Sequence, residues 1–278
     1  MTAIVETAPA KINLALHVRR RRADGYHELE TLFAFCRDGD VVTVERAAAT
    51  TLTLTGPFAG VLAGESQDDN LVMRAVRAFQ ARFAVADHYA ITLDKHLPVA
   101  SGIGGGSADA AATLRALARL HGIVPDHVDL FGIAGELGAD VPACLLGRTA
   151  RGESKGDALQ PLEPLGERPV LLVNPGVGVS TAAVFGRWDG DDRGPLGQGE
   201  VMAAATAGRN DLEPPARAIA PEIDAVLALL EASPGVVFSR MSGSGATCFA
   251  IFQDAAARDA AADAARTRDW WALATFLR

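Results

Sequence analysis

The stretch LPVASGIGGGSADAAATLRALARL, residues 97–120, sets Gly102, Gly104, Gly105 and Gly106 directly before a segment rich in alanine and leucine. Glycine lacks a Cβ and takes φ > 0 freely, so the N–H groups of such a loop can close around an anion at the N-terminus of the following helix. Ala110, Ala111, Ala112, Leu114, Leu117 and Leu120 supply helix propensity and one apolar face. Ser107 is placed as a cap or first-turn residue, and Asp109 in the first turn. The pattern predicts a phosphate-binding loop on a rigid helical base. Two commoner glycine loops do not fit. A Walker A loop needs Lys-Ser/Thr after its last glycine, where Ser107 and Ala108 stand. A dinucleotide fingerprint needs glycine at the sixth position from Gly102, which is Ser107, and an acidic residue about 20 positions on after a second strand.

The chain has 278 residues, enough for a large core and, at about 150 residues per domain, for two domains. Hydrophobic residues at 49% and charged ones at 22% argue against disorder. A net charge of -8 speaks against a general nucleic-acid surface, and the arginines at 19–22 read as a solvated hairpin tip. No nucleic-acid partner is expected. Cys36, Cys144 and Cys248 are odd in number, far apart and in apolar company, which predicts small buried thiols. The histidines show no metal-ligating spacing, so no protein-held metal is expected. Glu6 and Lys11 precede any long apolar run, and no window of about 18 apolar residues exists, so no signal peptide or membrane span is expected and the expected compartment is cytoplasmic.

Upstream of the loop, residues 2–7 and 12–18 read as strands, with 8–11 interrupting the ladder. Residues 40–46 and 50–55 read as a hairpin through 47–49, and 89–94 as a strand leading to Pro98. Asp69 and Asn70 cap a helix reaching about Phe83. Pro125 and Asp126 open a helix over 128–137, and Pro142 keeps Asp140 at an element boundary. From Thr149 the texture turns to Gly, Pro and charge, as in a crossover between domains. Beyond it come a strand at 170–174, a Ser180-capped helix, a mobile loop over 189–199, and helices at 213–220, 221–232 and 255–267. Strands at 236–240, 246–252 and 271–277 alternate with these, predicting helices on one face of an antiparallel sheet.

Three separated pieces together resemble the GHMP kinases, in particular members acting on a cytidyl-linked substrate. The first is Ala8-Pro9-Ala10-Lys11-Ile12-Asn13-Leu14, extended by Arg21-Arg22-Ala23-Asp24-Gly25-Tyr26-His27-Glu28-Leu29 and Thr31. The second is residues 98–112 with Gly138-Ala139-Asp140-Val141-Pro142. The third is Met241-Ser242-Gly243-Ser244-Gly245-Ala246-Thr247. Their order and spacing match across nearly the whole chain.

The resemblance implies an α+β, two-domain GHMP kinase fold, with a strand-rich N-terminal domain over 1–155 and a ferredoxin-like C-terminal domain over 156–278. The last strand is allowed to pack back on the first domain, and the active site is expected in the cleft between the two. It implies transfer of the ATP γ-phosphate to a 2-hydroxyl, with Asp140 as the catalytic carboxylate and Lys11 as the lysine beside it. An ammonium near a carboxylate favours its charged form, and phosphoryl transfer needs mainly alignment and charge stabilisation. Pro98, Val99, Ala100, Ser101, Gly102, Ile103, Gly104, Gly105, Gly106 and Ser107 would cradle the ATP phosphates. Asn13, Tyr26, His27, Phe33 and Phe185 would meet the small-molecule substrate, the aromatic rings stacking on cytosine and the histidine bonding its edge. Mg²⁺ would bridge phosphate oxygens. Where family members often carry a second serine this chain has Ala108, which leaves Ser107, Asp109 or water to serve the ion. Assembly as a monomer or homodimer stays open.

Overall fold

The computed structural model describes residues 3–62, 64, 66 and 68–278; Thr2, the first residue of the expected opening strand, lies outside them. The elements begin with β1 (Ile4–Arg21), β2 (His27–Ala47), β3 (Thr51–Thr55), α1 (Ala59–Leu62), α2 (Leu71–Phe83) and β4 (His88–Asp94). Next come α3 (Gly105–Leu120), α4 (Val128–Leu137), α5 (Val141–Leu146), β5 (Ala150–Ser154), β6 (Ala158–Pro161) and β7 (Pro169–Asn174). The chain closes with α6 (Thr181–Gly186), α7 (Val201–Ala207), α8 (Glu213–Ile219), α9 (Glu222–Ala232), β8 (Val236–Met241), β9 (Cys248–Phe252), α10 (Ala255–Arg266) and β10 (Trp271–Phe276). One sheet has the order β3-β4-β2-β5-β6, with β1 paired to β2, and a second has the order β10-β7-β9-β8. The described residues of Met1–Ala10, Asp38–Val99 and Gly104–Gly147 form one compact unit; Lys11–Arg37, Ala100–Ile103 and Arg148–Arg278 form another. No helix among the described residues is long and apolar enough to cross a membrane.

In the first unit β4 runs antiparallel to residues 41–47 of β2 and parallel to β3. The hairpin expected over 40–55 is therefore absent: β4, arriving from residues 88–94, takes the place between the two runs. Asn70 caps α2 as expected, its side chain accepting from Val72 N–H, and Val72, Ala75, Val76 and Phe79 turn inward. The helix α3 packs against α2, α4 and α5. Arg115 fastens it to Glu6, the Thr7 carbonyl and the Cys144 carbonyl. The ladder of β1 does not break at 8–11 as expected. A Cβ on Gly39 would stand 1.9 Å from the Ala8 carbonyl oxygen, so glycine lets the chain close tightly on that stretch, and Ala8 to Val18 are all buried.

The second unit carries the four-stranded antiparallel sheet. Counted within this half, its order is fourth, first, third, second strand, with α9 and α10 as crossovers, which is the expected ferredoxin-like arrangement. Leu171, Val173, Ile223, Val226, Leu230, Cys248, Ala250, Ala262 and Ala265 close its core. Segment 150–161, read as crossover, forms the β5–β6 hairpin instead. Past β10, Leu277 bridges to Cys36 and Arg278 N–H donates to the Phe35 carbonyl. The loop after α6 is tied down, against its Gly- and Asp-rich reading: Asp192 pairs with Arg19, Asp189 with Arg193, and Leu196 is buried with its N–H on Glu30. Cys36, Cys144 and Cys248 are buried, as expected.

Residues 14–18 of β1 are anchored here by polar bonds. Arg240 donates to the carbonyls of Leu14, Ala205 and Gly208, and Asp211 Oδ2 accepts from Val18 N–H. Burial pushes the Arg240 pKa down to about 10. His17 Nδ1 bonds the Gly194 carbonyl and Nε2 accepts from Arg209 N–H, a pattern that requires the neutral ring. Burial, then the Arg209 charge, lowers its pKa. A pKa depressed by folding gives stability that is present above about pH 6.5 and lost as pH falls through the folded value, at up to about 1.4 kcal/mol per pH unit. Thermal melts from pH 7 to 5 should show this slope in the native chain and a shallower one in His17→Gln; equal slopes would exclude His17 as its source.

Candidate active site

In the first unit, α3 begins at Gly105 with Gly104 as N-cap, at φ 66 and ψ 23, and no side chain caps it. The opening N–H groups of a long helix thus stand without a side-chain oxygen, as an anion site requires. Ser107 lies in the first turn, while Asp109 is one step beyond it, a correction to its expected place. Pro98 is buried and Val99 half-buried on the approach. Asp140 is the N-cap of α5, half-buried, at φ -84 and ψ -15. Its carboxylate makes no capping bond, and the backbone supplies the turn through Cys144 N–H to the Asp140 carbonyl at 3.0 Å. The boundary inferred from Pro142 is the start of this short helix.

Beneath α3, Asp109 joins a buried charge cluster with Asp40 and Lys95, two residues for which the sequence raises no functional expectation. Lys95 Nζ donates to Asp40 Oδ2 at 2.5 Å and to Asp109 Oδ2 at 2.7 Å, with Lys95 2% and Asp40 0% exposed. Asp40 Oδ1 accepts from the N–H groups of His96 and Leu97. Burial opposes the lysine's charge, yet Asp109 and Asp40 hold its pKa above the ordinary value. Burial, with Asp40 adding to it against the pull of Lys95, pushes Asp109 up to about 7. The available signal was the pair Asp94-Lys95 closing an apolar strand just before the loop.

In the second unit Lys11 is 2% exposed; its Nζ donates to Asn13 Oδ1 at 2.8 Å and lies 5.4 Å from the Phe33 ring centre. Asn13 Nδ2 donates to Thr31 Oγ1, whose hydroxyl donates to the Ala15 carbonyl, so the amide is oriented with its oxygen toward the lysine. Phe33 is 1% exposed, and a Cβ on Gly152 would come within 2.6 Å of its ring, which places Phe33 in the core under Lys11. Ala100 is exposed at φ 52, and Ser101 and Ile103 are buried. Lys11 N–H donates to the Ile103 carbonyl, and Thr247 N–H to the Ser101 carbonyl. Ser242 Oγ accepts from Asn13 N–H and donates to the Gly102 carbonyl. The turn at 242–245 therefore packs closely on the backbone of Gly102.

The His27 ring stacks on Phe185 at 4.8 Å, with Trp188 edge-on at 5.6 Å. Burial, then the Arg21 charge, lowers the His27 pKa, so the ring is neutral near pH 7 with one donor and one acceptor. Tyr26 stays apart from this stack, 54% exposed, with the Lys155 ammonium 5.1 Å from its ring centre. The structure thus brings together Lys11, Asn13 and Phe33 in one group and His27 and Phe185 in another. Asp140 and the start of α3 belong to the first unit, Lys11 and the aromatic group to the second. A groove of about 820 Å³ elsewhere in the second unit shares Trp188, and three of its arginines are paired: Arg193 on Asp189, Arg209 on Asp211 and Arg240 on carbonyls.

Residues 70–148 match the family described as GHMP kinases N terminal domain, and residues 197–269 that described as GHMP kinases C terminal. The chain belongs to the GHMP kinases. A protein of Rhizorhabdus wittichii named 4-diphosphocytidyl-2-C-methyl-D-erythritol kinase is 56% identical to it over 98% of this chain and 94% of its own length. One of the same name from Novosphingobium aromaticivorans is 49% identical, over 98% and 92%. A crystal structure of 4-(cytidine 5'-diphospho)-2C-methyl-D-erythritol kinase superposes with a TM-score of 0.83 at 37% identity, covering 99% of each chain.

Proposed function

We propose that this protein transfers the γ-phosphoryl group of ATP to the 2-hydroxyl of 4-diphosphocytidyl-2-C-methyl-D-erythritol, in the non-mevalonate route to isoprenoid precursors. The observation that carries the reading is the end-to-end likeness, at 45–56% identity, to relatives bearing that enzyme's name. The site supports each part of it. The uncapped start of α3, behind Gly102 and Gly104 at φ 79 and 66, offers N–H groups to the phosphates. Asp140, whose carboxylate is not spent on its helix, takes the proton of the acceptor hydroxyl. Lys11 places an ammonium at that oxygen; Asn13 orients it from one side and the Phe33 face supports it from another. His27, neutral and beside Phe185, reads the cytosine edge, and Tyr26 supplies a stacking face.

The donor set also fits Mg²⁺ carried on the nucleotide. Asp109 is turned inward onto Lys95 and Ala108 has no hydroxyl, so Ser107 is the oxygen-bearing side chain in the first turn of α3 for an ion otherwise held by phosphate and water. Bound there, it would neutralise charge on the phosphates.

The test is ADP release from ATP and Mg²⁺ with the cytidyl substrate, run beside homoserine, mevalonate and galactose. Turnover confined to the cytidyl substrate is expected. Activity on a rival would discard the cytosine pocket and keep the phosphate loop; silence on all four in folded protein would overturn the kinase reading.

A further inference from the structure

The cluster of Lys95, Asp40 and Asp109 plays no part in the reaction as described, yet it joins three separate pieces of the first unit. Asp40 lies on β2, Lys95 follows β4, and Asp109 is on α3. Asp40 holds the N–H groups of His96 and Leu97 at 2.5 and 2.8 Å, fixing the backbone that enters the glycine loop. Lys95 then links that carboxylate to α3, which leaves the loop. A Cβ on Gly105 would stand 3.1 Å from Lys95 Nζ and 3.9 Å from Asp40 Oδ2. The ammonium thus lies directly under the first turn of the helix. Gly105 is not among the residues with positive φ, so what its missing side chain provides is room over the lysine and not an unusual backbone shape.

We propose that Lys95 is a positioning residue for the nucleotide: held between Asp40 and Asp109, it sets the entry and exit of the phosphate loop relative to each other. The inference rests on the kinase reading above. An ordinary structural ion pair would not need this form. Buried pairs are often replaceable by apolar side chains without loss of stability, whereas they fix geometry through directional bonds. Asp40 Oδ1 is bonded to the backbone entering the loop, and Lys95 bonds both Asp40 and Asp109 of the helix behind it. Asp109 Oδ1, buried and without a partner among the described residues, shows that the cluster is arranged around the lysine and not for full pairing of its carboxylates.

The experiment compares ADP affinity by titration calorimetry with steady-state KM values for ATP and for the cytidyl substrate. Lys95→Met alone leaves two buried carboxylates without their cation and can fail to fold. The decisive variant is therefore the triple Lys95→Met, Asp40→Asn, Asp109→Leu, which removes the charges together. We expect it to melt close to the native chain, to bind ADP about tenfold or more weakly, to raise KM for ATP to match, and to leave KM for the cytidyl substrate within about twofold. Asp109→Asn, which keeps an acceptor for Nζ, is expected to retain most of the native ADP affinity. Native ADP affinity in the folded triple variant, or an equal rise in both KM values, would overturn the positioning role. Absence of ADP binding by the native chain would instead overturn the kinase reading, and this inference with it.

Discussion

Asp140→Asn is expected to lower kcat by about 10²- to 10⁴-fold while leaving both KM values within a few-fold and the melting temperature nearly unchanged. The asymmetry follows from what the carboxylate does and does not do in the fold. It caps nothing: the first turn of α5 is closed by the backbone carbonyl of residue 140, which asparagine keeps, and φ -84 suits either residue. Removing the negative oxygen therefore takes nothing from the helix. A positioned base that loses its basicity costs about 3 to 5 kcal/mol of barrier at that fold-change. Substrate binding should survive, because the phosphate and cytosine contacts proposed above are assigned to other residues. Initial-rate kinetics on the variant, with a thermal melt as the check on folding, test this. Turnover near the native value in folded protein would remove Asp140 from the reaction.

The parts of this architecture that were legible in sequence are those decided locally. Asn70 before an apolar periodic run caps α2, and Ser180 caps α6, because an N-cap depends on a side chain and an N–H two or three residues away. The glycines before an alanine-rich run give α3 and its open start for the same reason. The pairing of strands was not decided locally. Residues 40–46 and 50–55 have the composition of a hairpin, but β4 pairs with both of them, and nothing in the two runs records its arrival. In β1, Pro9 is a breaker on average, but the close approach of Gly39 to Ala8 and Pro9 accompanies an unbroken strand over Ile4–Arg21.

The same division holds at the candidate site. Lys11 and Asn13 stand out in sequence through the motif shared with the family, while the strand that carries both places them two positions apart on one face, with a bond of 2.8 Å between them. The Lys95 cluster joins residues 55 and 14 positions apart, a spacing that no local rule connects. All three members are buried away from water, and Asp109, expected to be free for the ion, is turned onto the lysine. Phe33 is a case between the two. An aromatic near Tyr26 is expected to meet the substrate; Phe33 is buried, with the Lys11 ammonium 5.4 Å from its ring centre.

Gly102→Ala should damage the protein far more than Gly106→Ala, four positions along the same loop. At Gly102 the backbone has φ 79, which costs alanine about 1 to 2 kcal/mol. A Cβ there would also stand 2.4 Å from the Ser242 carbonyl oxygen and 2.8 Å from Gly245 N, and because these are backbone atoms no rotamer change relieves the contact. The turn at 242–245 must move away, adding about 1 to 3 kcal/mol of strain. Together these predict a loss of about 2 to 5 kcal/mol, or a melting temperature lower by about 10 °C. Activity should fall with it, since Ser242 bonds the Gly102 carbonyl at 3.0 Å and accepts from the N–H of Asn13, the residue that orients Lys11. At Gly106 φ is not positive and the nearest atom to a Cβ is Leu71 Cδ1 at 3.4 Å, so alanine gains up to about 1 kcal/mol of helix propensity and the melt should hold or rise. Calorimetric melts of the two variants, with ADP release as the second readout, separate the explanations. Equal stability would mean that backbone crowding against the 242–245 turn is not what requires glycine at 102; a large gap would locate that requirement in the packing of two turns and not in phosphate binding alone.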